Sequence, residues 1–179
     1  MKFKNSKTYK NMKEAFAGES QARTKYSYYA SKAKKEGYQQ IAAIFEETAA
    51  NEQEHAKLWF KAMHDNDVPT TIENLLDAAV GENSEWTEMY KRMAKEAREE
   101  GYEKFAQQFE GVANIEKTHE ERFINLLENI KNGAVFQKEK SIEWKCRNCG
   151  HIHVGNYAPE LCPVCDHPQA FFEVREKNY

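Results

Sequence analysis

Phe45-Glu46-Glu47-Thr48-Ala49-Ala50-Asn51-Glu52-Gln53-Glu54-His55-Ala56-Lys57-Leu58-Trp59 is the stretch on which the fold turns. Read at 3.6 residues per turn, Ile41, Phe45, Thr48, Glu52, His55, Trp59 and Ala62 fall on one stripe. A carboxylate and an imidazole thus sit in the middle of a face made for burial. An unpaired carboxylate in such a place is expensive, so a positive charge should meet it. Glu52 and His55 are three residues apart, about 60° around a helix, and both can reach one metal. A lone Glu-x-x-His is a weak signal in a glutamate-rich helix.

The signal recurs 64 residues on, as Glu116-Lys117-Thr118-His119, inside the stripe Phe105, Phe109, Val112, Phe123, Leu127 and Ile130. The same shift pairs Tyr26 with Tyr90, Ala42 with Ala106, Phe45 with Phe109, Glu46 with Glu110, and Lys35-Glu36-Gly37-Tyr38 with Glu99-Glu100-Gly101-Tyr102. Each half therefore reads as a helical hairpin, and the two form a pseudo-symmetric bundle. Good helix formers dominate residues 5–131, where Pro69 is the one proline. The pattern predicts helices near 5–36, 38–63, 71–100 and 102–131, with Gly37 and Gly101 as C-cap glycines and His64–Thr70 as the break between halves.

The first and third helices add acids to their inner stripes. Gly18-Glu19 matches Gly81-Glu82, but at an offset of 63. The third helix therefore carries one extra residue between Glu82 and Tyr90, which predicts a π-bulge there. Glu85 lies three residues after Glu82 and has no acidic counterpart in the first repeat. Glu54 and Glu88 are read as outward-facing. The candidates are then Glu19, Glu52, His55, Glu82, Glu85, Glu116 and His119. One glutamate from each of two helices plus Glu-x-x-His from each of the other two is the ferritin-like di-iron pattern. Tyr26 and Tyr102 are either core tyrosines or hydrogen-bond donors to these carboxylates.

After Gly133 the texture changes. All four cysteines fall at Cys146, Cys149, Cys162 and Cys165, with β-type runs at Ile142–Trp144 and Ala170–Val174. Two Cys-x-x-Cys pairs with 12 residues between them point to four thiolates around one tetrahedral ion, iron or zinc. His151, His153 and His167 read as surface residues. The expected division is a ferritin-like four-helix bundle over 1–137 and a small metal-bound β domain over 138–179.

Bulk properties narrow the function classes. A net charge of -3 gives no electrostatic reason for nucleic acid. The start of the chain lacks an apolar signal segment, and no stretch nears the ~18 apolar residues of a membrane helix. Clustered cysteines suit a reducing compartment, so the cytoplasm is expected.

With both sites in view, the chain resembles the rubrerythrin family over essentially its full length. Ala17-Gly18-Glu19-Ser20-Gln21-Ala22, Glu52-Gln53-Glu54-His55, Gly81-Glu82-Asn83, Thr87-Glu88-Met89-Tyr90 and Ala97-Arg98-Glu99-Glu100-Gly101-Tyr102 carry the match in the bundle. Trp144–Cys149 and Ala158-Pro159-Glu160-Leu161-Cys162-Pro163-Val164-Cys165 look like the family's rubredoxin-type domain, with Asp166 where glycine is usual. The resemblance implies a hydrogen peroxide reductase protecting against oxidative stress, fed from NADH through rubredoxin or a reductase. It implies Glu19, Glu52, Glu82, Glu85, Glu116 and His119 as ferric ligands, with Glu52 and Glu116 bridging and His55 replacing Glu85 on reduction. Charge favours that exchange: the harder ferric pair suits a fifth carboxylate. The alternative is a ferritin-like ferroxidase or iron-handling protein, against which the cysteine module argues.

Two geometric points concern assembly. Glu116 and His119 lie about 18–22 Å before the end of the fourth helix, so the cysteine site starts far from its own irons. A homodimer with each cysteine domain against its partner's bundle shortens that path, and a tetramer is compatible. His64–Thr70 spans at most about 25 Å. Either residues 71–80 help to cross the bundle, or the hairpins are exchanged between subunits.

Overall fold

The computed structural model describes residues 3–178. They divide between Pro69 and Thr70 into two compact units.

The first unit is a hairpin of α1 (Lys7–Lys35) and α2 (Gln39–Met63). Ser6 caps α1 by accepting from the Tyr9 N–H at 3.1 Å. Gly37 ends it at φ +86°, a left-handed value that any Cβ would penalise. Ala30, Ala33, Ala42, Ala49 and Ala56 are buried where the helices meet, and such small side chains let backbones approach closely. Phe45 packs between Tyr26 and Tyr29, at ring-centroid separations of 6.0 and 5.5 Å. Lys34 donates to Glu46 near the closed end of the hairpin.

The second unit repeats this plan. It holds α3 (Thr71–Ser84), a π-helical turn (Glu85–Met89), α4 (Tyr90–Glu99) and α5 (Glu103–Lys131). The π turn falls where the offset between repeats requires an extra residue, and the Tyr90 N–H reaches back to the Glu85 carbonyl. Gly101 again has φ +86°. Arg98 forks onto Glu110 at 3.0 and 3.1 Å, the counterpart of Lys34 on Glu46. Residues 71–80 are the first turns of α3, helical from Thr71 onward. Thr70 and Glu73 form a reciprocal capping box that fixes this start.

Not all of the predicted apolar stripe is covered. Ile41 is 48% exposed and Phe105 54%, at equivalent ends of their hairpins, because two helices cannot enclose a stripe on their own.

The second unit continues into a three-stranded antiparallel sheet ordered β2-β1-β3, with β1 at Gln137–Cys146, β2 at Ile152–Tyr157 and β3 at Phe172–Val174. Its core is Trp144, Cys146, Ala158, Cys162 and Phe172. The strand β2 is one the sequence reading did not mark, and Ala170 and Phe171 form a 3-10 turn instead of strand.

Candidate metal centres

The hairpins present two equivalent donor groups. In the first, Glu19 comes from α1 and Glu52 and His55 from α2, with ligand atoms within 4.8 Å of one another. His55 Nδ1 lies 2.7 Å from Glu52 and 3.8 Å from Glu19. In the second, Glu82 comes from α3 and Glu116 and His119 from α5. His119 Nδ1 lies 2.6 Å from Glu116 and 3.8 Å from Glu82. The near-identity of these distances is the repeat expressed in three dimensions.

Electrostatics mark both groups as wanting a cation. The Glu19 carboxyl is pushed up by its hydrogen bond with Glu52, by burial and by the Glu52 charge, against the pull of His55. Glu82 is pushed up by burial and the Glu116 charge, with smaller contributions from Glu116 hydrogen bonding and Glu85. Two carboxylates sharing so little space do not both ionise comfortably until a metal joins them. Hard oxygen and imidazole donors in these numbers suit iron.

Glu85 stands outside the three-donor group of its hairpin but close by. It is half-buried on the π turn, and its charge, after burial, helps to push the Tyr90 phenol up together with Glu116 and Glu82. Glu54 and Glu88 are exposed, as expected. Tyr26 is half-buried against Phe45, and Tyr102 is exposed at the start of α5, 6.1 Å from the Phe105 ring.

One residue escaped the sequence reading. Glu120, next to His119, accepts from the Trp86 indole at 2.5 Å and from the Asn83 amide at 2.9 Å. It ties α5 to the π turn and so helps fix the direction of Glu82 and Glu85. Its counterpart at the repeat offset is Ala56, which gave no hint of the role.

The cysteines converge at the other end of the second unit. Cys146 and Cys165 sulfurs are 3.7 Å apart, and those of Cys149 and Cys162 are 3.6 Å apart. Sulfurs held about 2.3 Å from a tetrahedral ion lie about 3.7 Å from one another, whereas a disulfide needs about 2.0 Å. The four therefore fit a metal and not a cross-link. Each Cys-x-x-Cys closes on itself: Gly150 N–H donates to the Cys146 carbonyl and Asp166 N–H to the Cys162 carbonyl. The residue after each second cysteine is left-handed, Gly150 at φ +81° and Asp166 at φ +55°. Asp166 thus adopts the conformation for which glycine is the usual choice.

The thiols do not share charge evenly. At Cys149 the His151 N–H pulls down, but the Cys165 hydrogen bond, burial and the other thiols outweigh it and push the group up to about 12. At Cys165 burial pushes up, while Asn148, the His167 N–H and two neighbouring thiols bring it down to about 6. Four thiolates this close need a cation between them. His151, His153 and His167 lie outside the cluster, and His167 Nδ1 sits 3.0 Å from the Cys165 carbonyl.

Fold and sites together define a class: a ferritin-like, non-haem iron protein with a rubredoxin-like domain. The rubrerythrin family profile matches residues 10–127 and 73–145, and the profile of the rubredoxin-like domain of rubrerythrin matches 144–173. Rubrerythrin of Nitratidesulfovibrio vulgaris is 48% identical over 187 residues, covering 98% of each chain. Rubrerythrin of Porphyromonas gingivalis is 46% identical over 187 residues, covering 98% of this chain and 94% of its own. A solved structure of nigerythrin, described as fully reduced and all ferrous, matches at 31% identity over 97% of this chain and 89% of its own, with a TM-score of 0.37. The chain belongs to the rubrerythrin family. Its cofactors are accordingly a carboxylate-bridged di-iron site and one iron held by four cysteines.

Proposed function

We propose that the protein reduces hydrogen peroxide to water, with electrons passing from NADH through a rubredoxin or reductase and the cysteine-bound iron to the di-iron centre. The observation that supports this best is the pairing, in one chain, of two matched Glu-Glu-His groups with a four-thiolate cluster. A storage protein has no evident use for the second kind of site.

Glu19, Glu52, His55, Glu82, Glu85, Glu116 and His119 would hold the two irons in this reading, with Glu52 and Glu116 in the bridging role that the family resemblance implies. When bound, the irons supply one electron each to the peroxide O–O bond, and two protons complete two waters. The chain's own contribution is positioning and charge. Glu19, pushed up chiefly by its hydrogen bond with Glu52, and Glu82, pushed up chiefly by burial and then by the Glu116 charge, would bind the irons as anions. His55 and Glu85 are the pair whose exchange matches ligand charge to oxidation state. The Tyr90 phenol, pushed up by burial and by the charges of Glu85, Glu116 and Glu82, borders the same group. Cys146, Cys149, Cys162 and Cys165 hold the relay iron. Thiol chemistry of this kind suits a reducing cytoplasm, and among the described residues no helix is long and apolar enough to cross a membrane.

Anaerobic stopped flow tests the reading. Fully reduced protein mixed with peroxide should reoxidise its di-iron centre faster than when mixed with O₂. Reoxidation by peroxide slower than by O₂ would sink the claim and leave ferroxidase chemistry as the better account.

A further inference from the structure

We propose that Glu120 is a positioning residue for the di-iron centre: by holding Trp86 and Asn83 it fixes the π turn, so that Glu85 stays aimed at the metal beside Glu82. This rests on reading Glu82, Glu85 and His119 as iron ligands.

Three adjacencies in the chain converge on one carboxylate. Glu120 follows His119, Asn83 follows Glu82, and Trp86 follows Glu85. Successive helical side chains point about 100° apart, so each of the three stands beside a ligand without competing for the metal. Glu120 therefore ties together the points of backbone from which His119, Glu82 and Glu85 project. Its two oxygens are divided between the donors. Oε2 accepts from the Trp86 indole at 2.5 Å, and Oε1 accepts from the Asn83 amide at 2.9 Å. Hydrogen bonds to an ionised acceptor are roughly twice as strong as neutral ones. Trp86 is also held at its ring, where the ammonium groups of Lys91 and Lys117 stand 5.3 and 5.6 Å from the centroid.

The repeat supplies a comparison. The positions equivalent to Asn83, Trp86 and Glu120 in the first hairpin are Ser20, Arg23 and Ala56. There the Ser20 hydroxyl donates to the Phe16 carbonyl of its own helix at 2.7 Å, and Arg23 donates to Gln53 at 3.0 Å. Ala56 offers no side-chain acceptor. That hairpin forms two regular helices without such a tie, so helix packing does not call for it. The tie belongs to the hairpin with the π turn and the added carboxylate Glu85. π turns are rare interruptions of α-helix, and an anchor at Trp86, the second residue of this one, opposes its slipping back into regular register.

Charge decides what to measure. Glu85 is the fifth carboxylate of the centre, and an added negative charge favours ferric over ferrous iron. If the turn slackens, that charge withdraws and the midpoint potential rises. A tenfold loss of ferric preference corresponds to about 59 mV for one electron.

Midpoint potentials of the bundle irons in the loaded full-length protein provide the test, with iron content and circular dichroism measured on the same samples. Glu120→Ala should raise the potential by about 59 mV or more. Glu85→Gln should raise it likewise, and Glu120→Ala should add nothing in that background, because Glu120 acts through Glu85. Glu120→Gln should keep the wild-type value: its carbonyl oxygen accepts from Trp86, and its amide donates to the Asn83 side chain once that amide is turned over. Glu121→Gln, which removes a charge from the exposed neighbouring position, should also leave the potential in place. A shift in Glu120→Gln or Glu121→Gln equal to that of Glu120→Ala would reveal a charge effect and overturn the positioning role. Full additivity with Glu85→Gln would overturn it too, as would an unshifted Glu120→Ala that keeps its iron. If Glu120→Ala loses helicity or bundle iron, Trp86→Phe decides, since it keeps an aromatic ring and removes the indole N–H. A rise in potential that vanishes in the Glu85→Gln background supports the role, and no rise overturns it. A wild type without bundle iron overturns the di-iron reading itself.

Discussion

Glu120 holds two side chains at once, and its removal leaves both the Trp86 indole and the Asn83 amide without their acceptor. Half-buried donors stranded in this way cost about 1–3 kcal/mol. Glu120→Ala is expected to lower stability by that amount, read from urea denaturation of the loaded protein. Nothing in the spacing of Glu120 marks it, because its partners come from a different helix and its repeat counterpart is Ala56. Asp166 is the opposite case. The sequence flagged it as a departure, and its φ of +55° gives the departure a conformational cost. Asp166→Gly should relieve about 0.5–1 kcal/mol, seen as a later loss of the iron–thiolate absorption in guanidinium.

At the scale of the element, the π turn is the feature most open to a clean test. Deleting exposed Glu88 removes the inserted residue and lets α3 run into α4 as one regular helix. Glu82 and Glu85 then rotate by about 100° relative to Tyr90. Bundle iron should fall to a small fraction while far-UV ellipticity is kept; full retention of iron would show that the turn does not aim the ligands. This turn was legible in the sequence because a duplicated chain carries its own ruler: an offset of 63 before it and 64 after it leaves one residue unaccounted for. Gly37 and Gly101 were legible for a related reason, since both need a left-handed value at the same point of the repeat. The strand β2 was not, because Ile152-His153-Val154-Gly155 mixes its alternation with histidine and glycine and is a strand chiefly through its pairing with β1. The capping box at Thr70 was missed although Thr70-x-x-Glu73 spells it out. Thr70→Ala should cost about 1 kcal/mol. Its pH dependence has a definite sign. The Thr70 side chain and backbone hold the Glu73 carboxyl below its usual value. The stabilisation is therefore complete above that usual value and lost as pH falls through the lower folded one. The difference between wild type and Thr70→Ala should shrink on acidification below about pH 4, in matched thermal melts.

Across the whole molecule, stability is unevenly founded. The helices draw on long interfaces and several caps. The cysteine module has five core residues, Trp144, Cys146, Ala158, Cys162 and Phe172, and two of them are metal ligands. A unit this small seldom folds on apolar burial alone, so its metal is part of its fold. Removing the ion leaves four close thiols, one pushed up to about 12 and another down to about 6, with no charge to hold them together. Chelation should therefore unfold the module first, opening the sheet while the helices stay formed. Of the three tryptophans, Trp144 is fully buried in that core, with its indole donating to the Gly155 carbonyl at 3.0 Å. Its emission should shift to the red on chelation, and limited trypsin should cut after Lys145 and Arg147 while the helical stretch of 7–131 survives. Far-UV ellipticity near 222 nm, dominated by the helices, should hardly change. Simultaneous loss of the helical signal would mean that the helices depend on the module, and the two would then have to be treated as one cooperative unit.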